Sequence, residues 1–216
     1  MTDPHGLLGD AQAVIVDWDG TVVDNTAARL AALRAALEPH DLAVPVDRYR
    51  QLAGLPVRDV IAALATDVSL TIPALEEVVA RSRAALLTGP DPDPIPCTLD
   101  LLHAALGVGI PVAVASSAAA VLVHHGIHRL GLTEVLPVVV TLDDVAQGKP
   151  APDAYLEAAR RLGAHPARCL AVDDADDGIT AALAAGIRTL TIHDGRLVPA
   201  SPATIESTGG PRAAQP

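Results

Sequence analysis

Five short apolar runs, spaced by stretches with helical periodicity, constrain this chain most. The runs are Ala13–Val16, Val112–Ala115, Leu136–Val140, Cys169–Val172 and Thr189–Ile192. The first four are uninterrupted by polar residues, the pattern of strands buried on both faces, while in the last Thr189 and Thr191 alternate with Leu190 and Ile192. Between them Leu99–Leu106, Ala118–Leu130, Asp153–Leu162 and Gly178–Ala185 space their apolar residues as helices do, and Gly131, Gly163 and Gly186 stand where such helices should stop. Strand and helix in alternation predict an α/β fold, a doubly wound and mostly parallel sheet with helices on both faces.

One block breaks the alternation. From Thr26 to Pro90 there is no strand-like run, and 27–37, 47–52, 58–65 and 75–86 read as amphipathic helix. Pro90-Asp91-Pro92-Asp93-Pro94-Ile95-Pro96 then reads as a stiff linker. The expected organisation is a core of residues 11–25 and 96–198, a helical insert over 26–90, and flexible tails at 1–10 and 199–216. Packing of those helices directly on the core is the plainer alternative.

Composition narrows the function. A formal net charge of −11 argues against nucleic acid or an anionic membrane as partner. No apolar run approaches the length of a membrane span, and the first ten residues lack the basic cluster of a signal peptide. Two cysteines far apart, Cys97 and Cys169, fit a reducing cytoplasm better than a disulfide framework. Half of the residues are hydrophobic, yet there is no Phe, so the core must be built from aliphatic side chains.

The chemistry gathers at the ends of the apolar runs. Asp17-Trp18-Asp19-Gly20-Thr21 follows the first run directly. Ser116-Ser117 follows the second, Gly148-Lys149-Pro150-Ala151-Pro152-Asp153 comes after the third, and Asp173-Asp174-Ala175-Asp176-Asp177-Gly178 follows the fourth. In an open α/β sheet the carboxyl ends of the strands share one edge, where ligands bind. Carboxylates held close repel one another, so a divalent metal and a phosphate ester would satisfy both the acids and the cations. Lys149 is the only lysine among 15 lysines and arginines. A compact ammonium fits beside a carboxylate and a phosphate where a planar guanidinium does not.

These motifs, in this order, resemble the haloacid dehalogenase superfamily of phosphohydrolases, over roughly Ala13 to Ile192. The helical insert resembles the small cap of its sugar phosphatases and β-phosphoglucomutase. The resemblance implies that Asp17 attacks phosphorus and becomes an aspartyl phosphate, while Asp19 protonates the leaving oxygen and later takes a proton from water. It implies Mg²⁺ held by the Asp17 carboxylate, the Asp19 backbone carbonyl and Asp174, with Asp173 close by. Ser116, Lys149 and Thr21 would bind the phosphoryl group. Gly54-Leu55-Pro56-Val57-Arg58 resembles the family's specificity loop, which makes Gly54 and Arg58 candidate contacts for the rest of the substrate.

Each assignment has a plainer reading. Ser116 could end a strand, Asp173 and Asp174 could cap a helix, and Arg58 could be a surface arginine. Asp24 serves to start a helix, Asp143 and Asp144 read as a solvated loop, Trp18 as packing, and His124, His125 and His128 as exposed histidines.

Single residues separate the activities within the family. Asp19 argues against carbon–halogen cleavage, which needs no acid for its leaving group. The insert has no lysine for imine chemistry. Where the mutases carry histidine, five residues after the aspartate at 24, this chain has Arg29, which favours hydrolysis. Ala175 replaces the usual serine of the fourth motif. The expected function is a Mg²⁺-dependent phosphatase of a small phosphorylated metabolite, with a sugar-phosphate mutase or a non-catalytic binding module as alternatives. No protein partner is implied.

Overall fold

The computed structural model describes residues 3–52 and 55–200. In chain order the elements are α1 (Pro4–Leu8), β1 (Ala13–Val16), β2 (Val23–Asp24), α2 (Thr26–Leu37), α3 (Val46–Leu52), α4 (Val57–Asp67), α5 (Leu75–Thr88) and β3 (Asp93–Pro94), then α6 (Pro96–Gly107), β4 (Val112–Ala115), α7 (Ala120–Arg129), β5 (Val138–Val140), α8 (Asp153–Arg161), β6 (Cys169–Val172), α9 (Asp176–Ala184), β7 (Arg188–His193) and β8 (Arg196–Pro199). Six strands form one sheet in the order β5-β4-β1-β6-β7-β8, parallel except for β8 at its edge. The fold is the expected α/β one.

The two faces of the sheet are packed differently. Val14 and Val16 of β1 point into a Val- and Leu-rich cluster with α6 and α7. Ala13 and Ile15 point the other way, into a cluster dominated by alanine: Ala113, Ala115 and Ala171 from the sheet meet Ala154, Ala158, Ala159, Ala181 and Ala182 from α8 and α9. Small side chains let those two helices lie close to the sheet. Tyr155 is the one aromatic side chain in that cluster. Every residue of β1, β4 and β6 is buried, which is why they read as plain apolar runs.

Helices α2, α3, α4 and α5 share a third cluster of their own, centred on Leu33, Leu37, Ile61, Leu64 and Val78. The chain leaves the sheet for these helices through β2 and returns through β3. The two strands pair antiparallel, Val23 with Pro94 and Asp24 with Asp93. The segment read as a linker is therefore tied down, and Ile95 N–H also donates to the Val22 carbonyl. A two-residue exposed strand has no periodicity to betray it, and Pro94 is tolerated because an edge strand can forgo one N–H.

Two further segments depart from expectation. Residues 4–8, assigned to a flexible tail, form a helix capped by Asp3, with Leu8 buried in the core and Arg188 donating to the carbonyls of Leu7 and Leu8. At the other end β8 runs through Pro199, and Ala200 N–H donates to the Thr189 carbonyl. The remainder of the proposed C-terminal tail lies outside the described residues. Among those described, no helix is long and apolar enough to cross a membrane.

Candidate active site

Register decides what meets at the carboxyl edge of the sheet. Val16 of β1 lies beside Val114 of β4 and Val172 of β6. The residues that follow must then emerge together. Asp17 N–H still donates to the Val172 carbonyl, Ser116 N–H to Val140 and Asp173 N–H to Leu190, so all three are held by the ends of the ladder.

Lys149 closes the group. Its Nζ lies 2.6 Å from Asp17 Oδ1 and 2.7 Å from Asp173 Oδ2, and all three side chains are buried. Burial alone would lower the lysine, but Asp17 and Asp173 outweigh it and raise it, so the ammonium stays charged. Asp17 is raised well above the usual carboxylate range. Loss of water is the largest cause, Lys149 opposes it, and Asp173, Asp174 and Asp19 add to it. Asp174, the one of these three acids that is open to solvent, is pushed up to about 6, first by partial loss of water and then by Asp173, against the Thr21 hydrogen bond.

Ligand atoms of Asp17, Asp173 and Asp174 lie within 4.8 Å of one another. Three carboxylates around one ammonium leave an excess of negative charge. Hard oxygen donors in surplus suit a divalent cation such as Mg²⁺. The donor set therefore fits the expected metal. The Asp19 carboxylate is not part of this trio. It pairs with Arg29, Oδ2 to Nη1 at 2.8 Å, and accepts a short hydrogen bond from Asn25.

Glycines make the close approach feasible. Gly20 turns the chain with φ +89°, and a Cβ there would fall on the Asp174 carboxylate. A Cβ on Gly178 would fall on the Asp173 carboxylate.

The structure distributes the expected residues unevenly. Ser116 lies buried beside Asp17 and Lys149, lining the same small cavity, and its Oγ accepts from Ala118 N–H at 3.1 Å. Thr21 is fully buried, and its hydroxyl donates to Asp174 Oδ1 at 2.8 Å. That hydroxyl holds one oxygen of the Asp174 carboxylate. Arg58 is exposed, forms an ion pair with Glu76, and lines a second, larger cavity of about 450 Å³ between the helices and the sheet edge. Gly54 lies outside the described residues. Asp24 caps α2 through Thr26 N–H. Asp143 and Asp144 are more than a solvated loop: Asp143 accepts from Ala120 N–H at the start of α7, and Asp144 binds Thr141 and Arg161. Trp18 is buried against Gly126, while His124 and His128 are exposed.

Three participants escaped the sequence reading. Tyr155 donates to Asp173 Oδ2 at 2.6 Å from the alanine-rich face. Asn25 and Arg29 hold Asp19 from the start of α2. Arg29 stood out only as a departure from histidine. Tyr155 offered no signal, because its role depends on α8 packing beneath β1, β4 and β5.

Comparison with known proteins agrees with this arrangement. The haloacid dehalogenase-like hydrolase family matches residues 11–186. Fructose-1-phosphate phosphatase YqaB of Escherichia coli is 31% identical over 183 residues, 83% of this chain and 95% of that protein. Hexitol phosphatase A of the same organism is 29% identical over 185 residues, covering 83% and 82%. CbbY from Rhodobacter sphaeroides, solved with xylulose-(1,5)bisphosphate, superposes with a TM-score of 0.73 at 25% identity, over 84% of this chain and 85% of that one. β-Phosphoglucomutase from Clostridium difficile shares the fold, with a TM-score of 0.74 at 19% identity, over 83% of each chain. Motif order, sheet topology and the Asp–Lys–Asp cluster converge with these matches: the chain belongs to the haloacid dehalogenase-like hydrolases.

Proposed function

We propose a specific reaction for this phosphoric monoester hydrolase: Mg²⁺-dependent hydrolysis of a small phosphorylated metabolite of the sugar-phosphate kind, through an aspartyl phosphate on Asp17. The observation that carries it is Lys149 bridging Asp17 and Asp173 at 2.6 and 2.7 Å, with Asp174 alongside. Asp17, Asp173 and Asp174, with the Asp19 backbone carbonyl, would hold the Mg²⁺, which supplies positive charge against an anionic nucleophile and an anionic substrate.

In the first step an Asp17 carboxylate oxygen attacks phosphorus. Lys149 and Ser116 bind the phosphoryl oxygens, and Asp19 gives its proton to the departing alcohol oxygen. In the second step water gives a proton to Asp19 and its oxygen attacks the same phosphorus, releasing phosphate and restoring Asp17. Arg29 and Asn25 orient Asp19 for both transfers. The block 26–90 acts as a cap on a core of 11–25 and 96–198, and closes the site over the substrate. The reading places the enzyme in the cytoplasm, acting on a small molecule without a macromolecular partner.

Release of phosphate from p-nitrophenyl phosphate tests the proposal. It should require Mg²⁺ and vanish in Asp17→Asn. Equal inertness of wild type and variant across a broad panel of phosphorylated metabolites would refute it. Interconversion of glucose phosphates primed by a bisphosphate, without net phosphate release, would establish the mutase instead.

A further inference from the structure

The larger cavity is walled by apolar side chains, among them Trp18, Leu33, Val79 and Leu122, yet besides the half-buried Ser117 it holds two nearly buried hydroxyls that the mechanism does not use. Tyr49 on α3 and Ser82 on α5 both line it. Tyr49 is 3% exposed and Ser82 2%. Neither hydroxyl has a hydrogen-bond partner among the described residues, and neither is sealed off from the cavity as Thr98 Oγ1 is sealed in the core. A polar group so nearly buried is costly unless a partner arrives. Val79, Ser82 and Leu86 share one face of α5, spaced three and four residues apart, so Ser82 is aimed with that wall. Burial raises the Tyr49 hydroxyl, with Arg29 pulling the other way, so it remains protonated and able to donate at neutral pH.

The cations around the cavity are mostly matched. Arg29 faces Asp19, Arg58 faces Glu76 and Arg129 faces Asp91. Arg83 is the exception among those described. A pocket with paired guanidiniums and unpaired hydroxyls suits a neutral alcohol better than a second phosphate.

We propose that Tyr49 and Ser82 recognise the leaving group, and that this group is a neutral polyhydroxylated alcohol whose hydroxyls complete the hydrogen bonding of both side chains. A cavity of about 450 Å³ lies in the range of small-molecule sites and accommodates a six-carbon polyol beside the reacting phosphate. This rests on the phosphatase reading above.

The test compares kcat/KM for a hexitol monophosphate, n-hexyl phosphate, a sugar bisphosphate and p-nitrophenyl phosphate, using wild type, Tyr49→Phe, Ser82→Ala and the double variant. Wild type should prefer the hexitol ester to the hexyl ester by about tenfold or more, because the apolar ester leaves both hydroxyls unpaired. Each single change should reduce that preference by about 3- to 10-fold, mainly through KM, and the double variant should nearly abolish it. Thermal midpoints check that both conservative variants stay folded. Equal losses on hexitol, hexyl and nitrophenyl esters would overturn the assignment. So would a bisphosphate turned over ten times better than the hexitol ester. A wild type inert toward every ester would overturn the phosphatase reading itself, and this inference with it; turnover without hexitol preference would overturn only the inference.

Discussion

Replacing Tyr155 by Phe isolates one hydrogen bond beneath the site. The ring is fully buried among alanines, 5.1 Å from Lys149 Nζ, and its hydroxyl donates to Asp173 Oδ2 at 2.6 Å. Phenylalanine keeps the volume and the ring face, so neither a cavity nor a lost cation–π contact confounds the result. What disappears is a hydrogen bond to a carboxyl group that also pairs with Lys149, worth about 1.5–3 kcal/mol. Asp173 keeps Lys149 at 2.7 Å and the Ala175 N–H at 3.0 Å. The remaining partners place the loss at the low end, about 1.5 kcal/mol. For a chain of this size that lowers the unfolding midpoint by about 3–6 °C. Unfolding by heat and by urea, in the presence of chelator so that metal binding does not add to stability, reads this directly. A double-mutant cycle with Asp173→Asn should return a coupling of about 1 kcal/mol or more. Tyr155→Phe within 0.5 kcal/mol of wild type, or two losses that simply add, would show that α8 supports Asp173 by packing alone.

Gly178→Ala would push a methyl group onto the Asp173 carboxylate; it should weaken Mg²⁺ binding by calorimetric titration and lower turnover along with it. Gly126→Ala places a Cβ 2.6 Å from Trp18 Cζ2 and should cost about 1–3 kcal/mol of stability, with a shift in the emission of the single tryptophan; an unshifted spectrum would count against that contact. Glu157 is held at about 2 by hydrogen bonds from Arg160 and then Arg161, below its ordinary value of 4.5. Its folded value lies below its unfolded one, so its contribution is complete above about pH 4.5 and is lost as pH falls toward 2. The difference in midpoint between wild type and Glu157→Gln should therefore shrink from pH 5 to pH 3, and growth on acidification would contradict the assignment.

The central strands were legible because burial on both faces leaves no room for polar residues. Ala13–Val16, Val112–Ala115 and Cys169–Val172 begin and end where the apolar runs do. The strands at the margin were not legible, for the converse reason: β2, β3 and β8 are short, partly exposed and held by one neighbour, so pairing decides them and composition does not. Helix α1 was missed because its docking depends on Arg188, far along the chain. Among the residues of the candidate site, Asp17, Lys149, Asp173 and Asp174 announce themselves by lying just past apolar runs or by being chemically singular. The motif position of Thr21 says nothing of the Asp174 oxygen that its hydroxyl meets at 2.8 Å.

Local pattern alone determined the α/β class, the central strands and the acids at their ends, because burial and strand polarity act on neighbours in sequence. Only the tertiary structure decided which oxygen faces which donor. The Arg29 hold on Asp19, the Tyr155 support of Asp173, and the two unpartnered hydroxyls of α3 and α5 each join segments that meet through packing. The chain's order does not encode those distances, because they follow from how closely an alanine-faced helix, or a separate helical cluster, comes to rest against the sheet.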